Sequence, residues 1–286
     1  MIASARLKLV AVLFTVLMCV GDRSQAEEVG RFIHEYPGYD HTPFYPGAKY
    51  RVHDGARPQP PRVLPPASDG ATGTAAPADA IVLFGGDSLD QFQENDWTVE
   101  AGTAIVGSDS LLTKQPFGSC QLHIEWRTPT QLGDNPGNMG NSGVFFMDRY
   151  ELQIFDSYSC RIYADGSAGA IYGQTPPLVN VCRRPGEWQS FDVVFNAPVF
   201  KDGQLESLPT ITVLHNGVLV HNQTAIKGPT VHQKAPPLEP HADRLPLRIQ
   251  GHHCPVAFRN IWIRELSGQS ESRPDAQSTD ESIPSP

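Results

Sequence analysis

Basic clusters, metal-type cysteine spacings and nucleophile motifs are all missing from this sequence. The 22 Lys and Arg residues stand against 31 Asp and Glu and form no runs. Nucleic-acid binding needs such runs, so the chain is a poor candidate for it. No Cys-x-x-Cys or Cys/His spacing suggests zinc. No Gly-x-Ser-x-Gly or comparable motif offers an activated serine. Gly85-Gly86 and the glycine-rich residues 137–143 read as turns, because no helix or Lys-Ser/Thr follows to hold a phosphate. Helical periodicity is nearly absent and there is no internal repeat.

One long apolar stretch exists, residues 9–20 (LVAVLFTVLMCV), preceded by Arg6 and Lys8 and followed by Ser24-Gln25-Ala26. It is too short to cross a bilayer and has the layout of a signal peptide over residues 1–26. Export to the periplasm or the medium is expected. A lipoprotein would use Cys19, against which the bulky Leu17 and Met18 stand. No later segment is long and apolar enough to span a membrane. Losing Arg6, Lys8, Arg23 and Asp22 moves the formal charge from −9 to −11. That charge favours solubility and a small or neutral partner. Four cysteines then remain, Cys120, Cys160, Cys182 and Cys254, with three pairings open. A bridge between Cys160 and Cys182, which flank one irregular stretch, is preferred. Cys120 sits within a strand pattern, where a buried thiol serves as well.

Residues 27–67 are rich in proline and aromatics and read as an extended arm, with Tyr36, Tyr39, Phe44, Tyr45 and Tyr50 available to pack. His34, His41 and His53 in that arm carry no catalytic signal. Residues 68–79 read as a flexible linker and residues 267–286 as a disordered tail. Between them, residues 80–266 hold short strands broken by turn residues. Strands are predicted over 80–84, 97–101, 103–106, 120–127, 142–147, 149–155, 189–195, 210–214, 218–222, 247–250 and 257–265. Asn216-Gly217 gives a two-residue hairpin signal. The pattern predicts an all-β jelly-roll sandwich of two antiparallel sheets.

Alternation then sorts the polar residues. Tyr150, Leu152 and Ile154 share one face of their strand, with Glu151 and Gln153 on the other. Leu247 and Ile249 likewise oppose Arg248, Gln250 and His252, while His123 and Glu125 oppose Leu122, Ile124 and Trp126. Asn141 precedes the Ser142-Gly143 step. A polar sheet face is often no more than a wetted one. This one carries carboxylates, imidazoles and amides, the groups that grip sugar hydroxyls. Asp156 ends its strand and reads as a turn cap.

Six segments in order carry a resemblance: Leu83-Phe84-Gly85-Gly86-Asp87-Ser88-Leu89, Asn141-Ser142-Gly143-Val144-Phe145, Tyr150-Glu151-Leu152-Gln153-Ile154, Gly169-Ala170-Ile171-Tyr172-Gly173, Pro185-Gly186-Glu187-Trp188 and Pro255-Val256-Ala257-Phe258-Arg259-Asn260-Ile261. Together they resemble the 3-keto-glucoside lyase/hydratase family, also called 3-keto-disaccharide hydrolases. The resemblance implies a concanavalin- or laminarinase-like jelly roll. It also implies a small carbohydrate substrate, a glycoside oxidised to a ketone at sugar carbon 3. Such a ketone acidifies the C2 hydrogen, so a base removes it and the C1 group departs. On that reading Glu151 and His252 are the catalytic pair, with base and acid roles open between them. Glu125, Asn141, Gln153, Tyr172 and Gln250 bind substrate. A divalent cation held by Glu151 and His252 is a further option. Gln153 stands where laminarinase-type enzymes carry a further acid, which favours elimination over ordinary hydrolysis unless Glu125 supplies a second carboxyl group. A carbohydrate-binding module and a conventional glycosidase are the rivals.

Overall fold

The computed structural model describes residues 32, 34–67, 74–131 and 135–266. The expected signal peptide, the first part of the linker and the tail lie outside the described residues. In chain order the strands are β1 (His34–Glu35), β2 (Ile81–Phe84), β3 (Thr98–Glu100), β4 (Thr103–Ile105), β5 (Leu111–Phe117), β6 (Cys120–Arg127), β7 (Ser142–Phe146) and β8 (Tyr150–Ile154). They continue with β9 (Cys160–Arg161), β10 (Gln189–Asn196), β11 (Val199–Lys201), β12 (Gln204–Ser207), β13 (Thr210–His215), β14 (Val218–Ala225), β15 (Leu245–Ile249) and β16 (Ala257–Glu265). Two 3-10 turns, Pro136–Asn138 and Ala164–Gly166, interrupt them. Among the described residues no helix is long and apolar enough to cross a membrane.

Two antiparallel sheets make a jelly-roll sandwich. The larger runs β14-β13-β10-β6-β16-β4-β3, with β2 also paired to β16. The smaller runs β5-β15-β7-β8. Both turn apolar residues inward. Leu122, Ile124 and Trp126 of β6 and Leu152 and Ile154 of β8 have no exposed surface, and Phe191, Phe195 and Phe258 join them. Each such side chain contributes about 1.5–3 kcal/mol.

The predicted strands are present, their ends shifted by no more than three residues; the largest difference is β14, expected to end at 222 and running to Ala225. The Asn216-Gly217 hairpin forms as expected, with φ of 52° and 78° and His215 paired to Val218. Strand β5 carries no clean alternation, since Lys114, Gln115 and Pro116 lie exposed in succession. It is an edge strand, where a missing donor is tolerated, and Pro116 faces Pro246 across the ladder.

The arm from His34 onward is packed onto the sandwich; its first residues, 27–31, lie outside the described residues. β1 pairs in parallel with β9, Val63 N donates to Asn180 O, and Val52 and His53 are buried. Residues 74–79, expected as part of the linker, lie against β16: Trp262 Nε1 donates to Thr74 O and Arg264 pairs with Asp79.

A correction concerns the cysteines. Cys160 and Cys182 are not bridged; all four of Cys120, Cys160, Cys182 and Cys254 are buried free thiols. The Cys160 thiol is directed at Asp156 Oδ2 (3.8 Å) and the Cys182 thiol at the Phe155 carbonyl (4.0 Å). Flanking an irregular stretch in sequence did not bring the two sulfurs together.

Candidate functional site

The outer face of the smaller sheet builds a cavity of about 500 Å3, within the range of small-molecule sites. Its floor is set by cross-strand register. Arg248 of β15 pairs with Phe145 of β7, which pairs with Glu151 of β8. One step along, Gln250 N donates to Gly143 O, and Gly143 pairs with Gln153. Two rows of residues therefore cross the sheet on one face, the second with a gap at Gly143. Asn141, Glu151, Gln153, Tyr172, Gln250 and His252 all line this cavity.

Alternation also predicted the opposite face, since Tyr150, Leu152, Ile154, Leu247 and Ile249 belong to the core. The polar face is not open water, however. Glu151 is 5% exposed and Gln153 1%. The segment carrying Tyr172 runs along the free edge of β8, with Gln153 N donating to Ala170 O (2.9 Å) and Tyr172 N to Glu151 O (3.2 Å). An unpaired edge is covered in this way.

Burial sets the electrostatics. Loss of solvent pushes the Glu151 carboxyl up to about 8, partly offset by the Arg248 guanidinium. Arg248 is itself held by Asp148 and stacks over the Phe145 ring. Burial lowers His252 below the ordinary imidazole value, the proximity of His253 adding to this and a backbone hydrogen bond opposing it. His252 Nδ1 lies 3.0 Å from Asn138 Oδ1. With the amide oxygen accepting, Nδ1 carries the proton and Nε2 keeps its lone pair. His253 is exposed at φ 55° and does not line the cavity. Among the described residues the buried amide oxygens of Gln153 and Gln250 have no hydrogen-bond partner, which leaves both available to accept from a guest.

Glu125 requires correction. It lies on β6 of the larger sheet, away from the cavity, where its carboxylate accepts from Arg259 Nε (2.6 Å) and Asn260 Nδ2 (2.8 Å). Alternation placed it on the polar side of its own strand, but that side is the outer face of the other sheet. Among the described residues Glu151 is then the one carboxylate lining the cavity. A cation would be held by Glu151 and His252 with the two amide oxygens. Among the described residues no three of His, Cys, Asp and Glu group to hold one. Glu151 and His252 fall short of a metal centre by themselves.

The cavity also has a wall that the sequence did not reveal. Tyr36 and Tyr39 come from the arm, Tyr163 from the residue that precedes the 3-10 turn Ala164–Gly166, and Thr230 and His232 from the loop after β14. Thr230 Oγ1 accepts from Glu151 N (3.1 Å). Tyr172 Oη lies 2.8 Å from Tyr163 Oη and 3.0 Å from His232 Nδ1. Only the arm's aromatic content hinted at this wall; His232 sits in an irregular segment with no pattern. Asp156 caps a turn as expected, accepting from the N–H groups of Tyr158 and Ser159.

The two-sheet sandwich with a polar, aromatic-walled cavity on the outer face of its smaller sheet makes this a jelly-roll protein with a site suited to a small polyhydroxyl ligand. The chain belongs to the 3-keto-alpha-glucoside-1,2-lyase-like domain family, whose model matches residues 79–264. It is similar to a crystal structure assigned as a glycosyl hydrolase from Parabacteroides distasonis ATCC 8503, at 40% identity and a TM-score of 0.66 over 73% of this chain and 93% of that one. A second structure so assigned from the same organism, at 24% identity and a TM-score of 0.50, covers 65% of this chain and 99% of its own and shares the fold. No match is found among curated proteins.

Proposed function

We propose that the protein is an exported enzyme that cleaves 3-keto-glycosides, or hydrates the glucal derived from them, by moving the proton at sugar C2. The observation that carries this reading is the pair of opposed shifts on one cavity. Glu151 is raised to about 8 and His252 is lowered, so at neutral pH the carboxyl keeps its proton and the imidazole is free. Environments that push two titratable groups apart assign the acid and the base. His252 Nε2 takes the C2 proton, and the released pair forms an enolate with the C3 carbonyl. The enolate re-forms the ketone as a C1–C2 double bond develops and the C1–O bond breaks. Glu151 gives its proton to the departing oxygen. Gln153, Gln250 and Asn141 hold the ketone and hydroxyls, and the unpartnered amide oxygens of the first two suit that task.

Hydrolysis by two opposed carboxylates finds less support, because Glu125 is far from Glu151's cavity and paired elsewhere. The wall of tyrosines supports a second reading, a sugar-binding module. Product formation separates the two. The test is release of aglycone from a 3-keto-glucoside by wild type, Glu151→Gln and His252→Ala. Loss of about 100-fold or more in each variant is expected of an acid and a base. Saturable binding without product would favour the module, and unchanged turnover in both variants removes the mechanism.

A further inference from the structure

The family match begins at residue 79, yet two residues of the cavity wall, Tyr36 and Tyr39, precede it. Their hydroxyls are 2.7 Å apart. Tyr36 meets Tyr163 edge-on at 5.9 Å, and Tyr39 meets the His232 ring edge-on at 5.8 Å. The pair thus reaches from Tyr163 to the loop after β14.

This part of the arm is firmly seated. His53 is wholly buried, its ring 4.2 Å from that of Tyr163 and 4.7 Å from that of Tyr172, and its backbone N–H donates to Asp165 Oδ2 (3.0 Å). Arg57 Nη1 donates to Gln174 O (2.7 Å) and lies 3.4 Å from Asp165. The wall is a built surface.

Floor and wall differ in chemistry. The floor is carboxyl, amide and imidazole, suited to a ring whose every oxygen is handled. The wall is aromatic with phenolic edges, suited to the apolar CH face of a pyranose and its hydroxyl rim. We propose that Tyr36 and Tyr39 form a subsite for the second sugar ring, the leaving group of a disaccharide, and so bias the chain toward disaccharides over simple alkyl glycosides. The assignment of the floor to the reacting ring rests on the reading above; the binding preference does not.

The test uses the full chain with 3-keto-trehalose and methyl 3-keto-glucoside. The ratio of their kcat/KM values is expected to fall about tenfold in Tyr39→Ala. Tyr39→Phe and Tyr36→Phe, which keep the rings and serve if the alanine variant fails to fold, are expected to lower it about threefold. An unchanged ratio in all folded variants overturns the subsite. If wild type forms product from neither substrate, the proposed reaction fails separately. Calorimetric titration with trehalose and methyl glucoside then decides. Tighter wild-type binding of trehalose, lost in the tyrosine variants, upholds the subsite; equal binding or none overturns it.

Discussion

Glu151 occupies the space that a side chain at Gly143 would take. A β-carbon built on Gly143 would lie 2.5 Å from Glu151 Oε1 and 3.0 Å from its Cγ. The two residues are neighbours on paired strands, and the missing side chain of one lets the other lie down across the sheet.

Gly143→Ala is therefore expected to displace the carboxyl with modest harm to the fold. The crowded atoms belong to one side chain, so the stability loss is about 1–3 kcal/mol, as for an overpacked core. The rate loss is larger, on the order of 100-fold, because a misplacement of about 1 Å suffices for that. Thermal melting and kcat on the same sample separate the two effects.

The pH–rate profile of the wild type should be a bell. Its acid limb reflects protonation of His252, below the ordinary imidazole value, and its alkaline limb the loss of the Glu151 proton at about 8. Glu151→Gln is expected to abolish the alkaline limb while lowering kcat/KM throughout. An alkaline limb that persists in this variant would assign it to another group.

Glu151 also leaves a mark on stability. Its folded pKa of about 8 lies above the unfolded value, so the native state binds the extra proton between pH 4.5 and 8. Stability falls as pH rises through that window, by about 1.4 kcal/mol per unit before relaxation. Glu151→Gln should flatten the decline, measured as urea midpoints at pH 5 and pH 8.

The larger sheet supplies a contrasting case in His123. Burial lowers its pKa, but the hydrogen bond to Asp192 (2.6 Å) and the Glu125 carboxylate 3.5 Å away prevail and raise it to about 9. A raised histidine contributes stability that is whole below pH 6.5 and is lost as pH climbs through 9. Asp192→Asn should cost about 1–2 kcal/mol at pH 6, discounted because Asp192 is 36% exposed, and little at pH 10. Equal losses at both values would contradict the ion pair.

The free thiols give a simple check. With Cys160 and Cys182 unbridged, reductant should leave the melting temperature unchanged, and thiol titration in denaturant should find all four residues reactive.

The sequence made the floor of the cavity legible for a definite reason. A strand's two-residue period separates Glu151 and Gln153 from Leu152, and Arg248 and Gln250 from Ile249, whatever the fold around them. Glu125 obeys the same rule and still sits elsewhere, because parity assigns a face of one strand and not a side of the sandwich. His232, Tyr163 and Tyr39 lie in segments with no period at all; only the packing of the arm and loops assembles them. Strand β5 was hidden by Lys114-Gln115-Pro116, a polar interruption that an edge tolerates. The cysteine pairing turned on distances in space that linear spacing does not carry.

The parallel ladder joining His34–Glu35 to Cys160–Arg161 has a consequence for how the molecule is made. The arm leaves the ribosome before any of its partners exist, and its later contact with Asn180 lies further along still. Pairings across so much chain raise the contact order and slow folding as a whole. The tyrosines of the arm therefore reach the pocket only through contacts that span more than a hundred residues.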